Sequence, residues 1–223
     1  MKQVRIIGTL IILVSFSFSL HAQRATAVNN SGTIERQVDF KYKNEAITVL
    51  LEFKQTDYNF YKRIGKKDLL PEYGNLITED EQHAYFKQMA LTLKKEADAK
   101  GYSDQDMVEF LTAFVQYIPY KEDPKNDGYD YPRYPIETIV DGGGDCEDKS
   151  ALLVALLNTF GFDAIMVSPP GHMAAAIRCE NCDEGTYEVR GEKYVYIETT
   201  ISGWQIGMVP PQFSEHTILD VYR

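Results

Sequence analysis

The sequence predicts an α+β fold, because helical patterns come first along the chain and strand patterns follow them. Two capped amphipathic helices precede a leucine-rich helix that ends near Phe160, just before Gly161. Three later segments have the composition of strands: "DAIMVSPP", "HMAAAIRCE" and "KYVYIETT". Turn residues at 169–171 and 183–191 separate them.

The first 23 residues have the pattern of a secretory signal peptide. Lys2 and Arg5 precede an uncharged apolar run at 6–20, and Ala22 supplies a small residue at its exit. A membrane anchor is the alternative, although spanning usually takes about 20 apolar residues. We therefore expect an exported protein, periplasmic or secreted, that is anchored in a membrane only if this segment is retained.

The net charge of the chain restricts the classes of binding partner. Loss of Lys2 and Arg5 with the leader leaves 21 Lys+Arg from 23 against 33 Asp+Glu, so the formal net charge goes from −10 to −12. This acidity disfavours nucleic acid and anionic membranes as partners of the mature chain.

Residues 24–77 are predicted to form an N-terminal arm and a hairpin, ahead of the main domain at 78–223. The segments "RQVDFKYK" and "EAITVLLEF" have the composition of two strands, and residues 54–76 are predicted to be irregular. Thr78 with Glu81 predicts a capped helix that ends near Lys100. Ser103 with Asp106 predicts a second cap, and the helix after it carries a regular apolar stripe: Met107, Phe110, Leu111, Phe114, Val115 and Ile118.

A long loop rich in Pro, Asp and Tyr is predicted at 120–138, and loops of this length are often functional. It is not an EF-hand, because Lys125 stands where that motif needs an oxygen ligand.

The segment "DGGGDCEDKSALLVALL" places Cys146 in the first turn of a predicted buried helix. Helix N-termini present unpaired N–H groups and a partial positive charge, which favour a thiolate and can hold an oxyanion. The carboxylates of Asp145, Glu147 and Asp148 oppose that ionisation, so a positive partner is required.

A histidine is the usual partner of a nucleophilic cysteine. His172 opens a predicted strand behind the "SPPG" turn, and Glu198 ends the neighbouring predicted strand in "YIETT". Cys146, His172 and Glu198 therefore predict a nucleophile, a base and an acid that orients the base.

The segments "YPIETIVDGGGDCEDKSALLVALLNTFGFDA", "GHMAAAI" and "YVYIETT" together resemble the transglutaminase-like superfamily over residues 117–207. The resemblance implies a papain-like arrangement, with the nucleophile helix packed on an antiparallel sheet. It implies Cys146 as nucleophile, His172 as base and Glu198 as orienting acid, with Thr200 completing an acid-x-Thr pattern. The family usually has Asp where this chain has Glu198.

The shorter segment "GDCED" is similar to the nucleophile segment of calcium-dependent bacterial transglutaminase-like proteases. That similarity implies calcium at Asp145 and Glu147, which would relieve the repulsion between carboxylates. The cysteine chemistry itself requires no cofactor.

Cys179 and Cys182 in "RCENCDEG" are closely spaced, and thiols usually pair in an export compartment. A local disulfide is favoured over a metal site, since two ligands are too few for zinc.

These features predict a cysteine hydrolase that cleaves peptide or side-chain amide bonds in a protein or peptide substrate. Two alternatives remain open: a protein-glutamine acyltransferase that cross-links, and a non-catalytic binding module that keeps the fold.

Overall fold

The structure, a computed structural model, describes residues 31–64, 83–123, 131–180, 182, 186–213 and 220–222. The helices are α1 (Gln55–Arg63), α2 (Ala84–Ala99), α3 (Asp104–Gln116), α4 (Pro135–Val140) and α5 (Cys146–Thr159). The strands are β1 (Thr33–Tyr42), β2 (Glu45–Lys54), β3 (Ala164–Ser168), β4 (Ala174–Arg178), β5 (Thr186–Val189), β6 (Glu192–Ile197) and β7 (Asp220–Tyr222). The predicted signal peptide and the Thr78–Glu81 cap lie outside the described residues.

The N-terminal hairpin forms as the sequence predicts. β1 and β2 pair antiparallel, and Lys43 and Asn44 make the turn with positive φ angles. The inner face of the hairpin packs on α3, where the ring centroid of Phe40 lies 5.3 Å from that of Phe110 and 5.7 Å from that of Phe114. The hairpin therefore shares its core with the helices.

The prediction that residues 54–76 are irregular is wrong for their first part, because Gln55–Arg63 form α1. This helix has no side-chain cap, so the sequence gives no signal for its start. Contacts distant in sequence hold it: the Tyr61 ring lies 4.7 Å from the Tyr134 ring, and Lys62 pairs with Asp141 at 2.7 Å.

The prediction of a loop over 120–138 is likewise wrong at its end, where Pro135 begins α4. Pro suits the first helical position, and the Glu137 carboxylate accepts from the Tyr134 N–H at 2.9 Å.

Five strands form an antiparallel sheet in the order β5-β6-β4-β3-β7. The buried helix α5 packs on one face of this sheet, and the other face carries a second apolar cluster that includes Ile165, Ala176 and Tyr196. The α+β class is confirmed, with the helix that begins at Cys146 packed on an antiparallel sheet. Two strands escape the sequence prediction: β7, and β5, which lies within the predicted turn at 183–191. None of the described helices is long and apolar enough to cross a membrane.

Candidate active site

The glycine run before Cys146 is required by close packing at the start of α5. Gly142 has a φ of 68°, which disfavours other residues. A Cβ on Gly144 would lie 2.6 Å from the Cβ of Asp148. Asp148 in turn accepts a hydrogen bond from the Asp145 N–H at 3.2 Å, which closes the first turn of the helix.

The N-terminal hairpin reaches this loop through Arg36. Arg36 is buried on β1, and its Nε donates to the Ile139 carbonyl at 2.9 Å. Its guanidinium covers Gly142 so closely that a Cβ there would meet Nη2 at 1.8 Å. The hairpin thereby fixes the loop that presents Cys146.

Cys146 is half-buried at the first position of α5, and it is the free cysteine among the described residues. Its thiol donates to the Glu147 carboxylate, with Sγ 3.1 Å from Oε2. Burial, followed by the charges of Glu147 and Asp145, raises the pKa of this thiol, and the Met173 backbone opposes the rise only in part. The carboxylates of Glu147 and Asp145 thus oppose ionisation of the thiol, in line with the sequence argument for a positive partner.

His172 and Glu198 form a hydrogen-bonded pair, with Nε2 3.1 Å from Oε2. Thr200 donates to the other carboxylate oxygen from its N–H at 2.8 Å and from its hydroxyl at 2.6 Å. Burial raises the pKa of Glu198, but the hydrogen bonds from His172 and Thr200 outweigh burial and lower that pKa to about 2. Glu198 is thus an ionised, oriented acceptor for the imidazole.

Two further contacts at this pair have no signal in the sequence. The hydroxyl of Tyr196 donates to Glu198 Oε2 at 2.8 Å. The Phe213 ring stacks on the His172 ring, with centroids 4.8 Å apart and an interplanar angle of 3°. Together they hold the two partners and cover one face of the imidazole.

Met173, the residue after His172, joins the segment just before β4 to the helix that begins at Cys146. The Met173 backbone interacts with the Cys146 thiol, and the Met173 carbonyl accepts from the Ser150 hydroxyl on α5 at 3.3 Å. The structure therefore places Cys146 beside the residue that follows His172, and Glu198 beside His172.

An acidic cluster lies next to the cysteine. Asp145, Glu147 and Asp123 each offer a carboxylate oxygen, and these three oxygens lie within 4.8 Å of one another. Asp123 belongs to the long loop, and its recruitment could not be predicted because it depends on tertiary structure. Burial, then Glu147, raises the pKa of Asp145 to about 8.

The cluster fits a hard divalent cation such as calcium. One oxygen of Asp145 is buried without a hydrogen-bond partner among the described residues, whereas the buried Oδ1 of Asp123 lies 2.7 Å from Nη1 of Arg133. The buried Asp145 oxygen that lacks a donor is suited to such an ion, which takes oxygen ligands.

The structure joins Cys179 to Cys182 through a disulfide just beyond β4. Both residues are buried, so the pair closes the end of the strand.

No family model matches the chain, and no curated protein matches it. Similar solved structures include Legionella pneumophila LapG in EGTA-treated and calcium-bound forms, each with 17% identity, a TM-score of 0.45 and 68% of this chain covered. The matches cover 82% and 84% of those two chains. A structure described as a TGase has 17% identity and a TM-score of 0.33, over 84% of this chain and 50% of its own.

Proposed function

We propose that the protein is an exported cysteine hydrolase that cleaves peptide or side-chain amide bonds through a thioacyl-enzyme. Two contacts carry the proposal. Cys146 at the start of a buried helix lies against the backbone of Met173, the residue after His172, and His172 is hydrogen-bonded to Glu198. The leader-like segment at 1–23 supports export to the periplasm or the exterior.

The proposed reaction begins with proton transfer from the Cys146 thiol to His172. The His172 Nε2 is hydrogen-bonded to Glu198, so Nδ1 is the ring nitrogen that is left to accept the proton. The ionised Glu198 then stabilises the imidazolium. The thiolate attacks the substrate carbonyl, and backbone N–H groups at the start of α5 hold the oxyanion. The leaving amine takes the proton from His172, and water releases the acyl group.

Asp123, Asp145 and Glu147 would hold the cation in this proposal. A bound calcium ion supplies positive charge that relieves the repulsion of these carboxylates toward a thiolate. Glu147 is the key residue, because its carboxylate accepts the thiol hydrogen bond that favours neutral Cys146.

The test is the rate of Cys146 alkylation by iodoacetamide against pH in the mature protein, with calcium and with EGTA. We expect rapid labelling well below pH 8 in calcium, and its collapse in His172→Ala. His83→Ala is the matched control, since His83 stands at the N-cap position of α2, where its ring contacts Tyr61 and Tyr85. A midpoint near 8.5 in all proteins and both conditions, the value of an ordinary thiol, would support a non-catalytic binding module instead.

Hydrolysis and cross-linking share the acyl-enzyme and differ only in whether water or an amine accepts the acyl group. Mass spectrometry of a glutamine-containing peptide incubated with a primary amine separates them. We expect the hydrolysed product to dominate, and a dominant amine adduct would assign the protein to the acyltransferases.

A further inference from the structure

Gln116 makes three hydrogen bonds at the end of α3 that the proposed reaction does not yet use. Its Nε2 donates to the carbonyls of Glu198 at 2.8 Å and Trp204 at 2.9 Å. Its Oε1 accepts from the Gly203 N–H at 3.0 Å. One buried side chain thus binds the backbone at Glu198 and at the loop that follows it.

Only a primary amide on a side chain of this length fits these partners. Two carbonyls require donors and one N–H requires an acceptor, and glutamine carries both kinds of group. Because Gln116 is buried, an unmatched group here would lose its hydrogen bonds without full replacement by water.

The Glu198 backbone depends on this support because it lies just beyond the sheet. The pairing of β6 with β4 ends at Ile197, so the carbonyl of Glu198 takes no part in that ladder. Gln116 supplies the hydrogen bond instead, at the residue whose carboxylate holds His172.

Lys149 connects Gln116 to the helix that carries the cysteine. The fully buried Lys149 Nζ donates to the carbonyls of Gln116 at 3.2 Å and Ile118 at 2.7 Å, where α3 ends. Lys149 lies one turn after Cys146 on α5. The nucleophile and the orienting acid therefore share one hydrogen-bonded frame.

We propose that Gln116 is a positioning residue, which fixes the backbone of Glu198 so that its carboxylate orients His172. The proposal rests on the proposed function for its catalytic meaning, but the position of the imidazole is measurable without turnover.

Gln116→Glu tests the donors, because it keeps the length of the side chain and an acceptor for Gly203 while removing both N–H groups. Gln116→Asn carries the same amide on a shorter side chain and serves as the second variant. Thr112→Val is the matched control: Thr112 is also buried on α3, but its hydroxyl bonds only within the helix, to the Val108 carbonyl.

Two measurements are made on the full mature chain labelled with ¹⁵N-histidine. The first is the NMR signal of the His172 Nε2–H in its bond to Glu198, assigned by its loss in His172→Ala. The second is the alkylation rate of Cys146 at pH 6 in calcium. We expect both Gln116 variants to lose or shift the signal and to slow alkylation by about tenfold to a hundredfold, as misplacement of a reacting group does. Thr112→Val should change neither.

An unchanged His172 signal in a folded Gln116 variant would overturn the proposal, as would an equal loss in Thr112→Val. A lost signal in the Gln116 variants, combined with an ordinary thiol in the wild type, would retain Gln116 as a positioning residue and reject the proposed hydrolase. If the wild-type thiol is reactive and Gln116→Glu leaves its alkylation rate unchanged, the proposed hydrolase is retained and the positioning role of Gln116 is rejected.

Discussion

Two helices of this protein begin with the same capping arrangement in opposite surroundings. In α3 the Asp106 carboxylate accepts from the Ser103 N–H at 3.1 Å, and in α5 the Asp148 carboxylate accepts from the Asp145 N–H at 3.2 Å. The first cap lies at the surface, where Lys43 reaches Asp106 at 2.6 Å. The second is buried, and Arg133 donates to Asp148 there.

The different surroundings shift the pKa values of the two capping carboxylates in opposite directions. The partial burial of Asp106 raises its pKa, but hydrogen bonds from Lys43 and Ser103 outweigh this and lower the pKa to about 2. Burial, then the charge of Asp145, raises the pKa of Asp148 well above its ordinary value against the opposing pull of Arg133. A capping carboxylate at the surface thus only stabilises its helix, whereas a buried capping carboxylate also depends on nearby positive charges to stay ionised.

The largest expected effect comes from removing such a counter-charge. Arg133 pairs with Asp148 at 2.5 Å and with Asp123 at 2.7 Å, and it is itself buried. Arg133→Met leaves Asp148 buried and uncompensated, so we expect a loss of about 3–5 kcal/mol in the free energy of unfolding, measured with urea.

Lys94→Met is the control for this variant. Lys94 forms an exposed pair with Asp98 one turn along α2. We expect a loss of at most about 0.5 kcal/mol. Losses of similar size in the two variants would remove the contrast between buried and exposed charge.

The pH dependence of stability should differ between the two caps. The pKa of Asp145 is about 8 in the folded state against an ordinary value of 3.8, so the folded chain holds a proton that the unfolded chain has released. Stability without calcium therefore falls as pH rises from about 4 to about 8, with a slope of up to about 1.4 kcal/mol per pH unit from this group.

Asp145→Asn keeps a capping side chain and removes this titration, so urea unfolding across the same pH range should show a flatter profile. Calcium should likewise raise the stability of the wild type more at pH 8 than at pH 5, because the ion binds the carboxylate form. Equal slopes in wild type and variant would show that Asp145 is ionised throughout.

The contrast also explains how much the sequence could predict. The Ser103 cap, the stripe on α3 and the helix start at Cys146 are local patterns, and they form where expected. His172 and Glu198 could be paired because each lies at the end of a recognisable strand, and the structure brings them together.

The remaining site residues act through contacts that no local pattern encodes. Asp123 joins the acidic cluster from a loop, and Gln116 looks in sequence like an ordinary last-turn residue. The uncapped helix α1 is held by contacts of its Tyr61 with Tyr134 and of its Lys62 with Asp141, both distant in sequence. Such contacts follow from the tertiary fold, which spacing and propensity alone do not determine.

The smallest expected effect tests the exposed cap. Ser103→Ala removes the hydroxyl that accepts from the Asp106 N–H at 3.2 Å, and it should lower the free energy of unfolding by about 1 kcal/mol near pH 7. The alkylation profile of Cys146 should not change, because α5 has its own cap. The lowered pKa of Asp106 adds stability that is present above about pH 4 and is lost as the pH falls through about 2, so the slope at this cap is opposite to that at Asp145. A shifted alkylation profile in Ser103→Ala would mean that the two helix starts are coupled through the shared core.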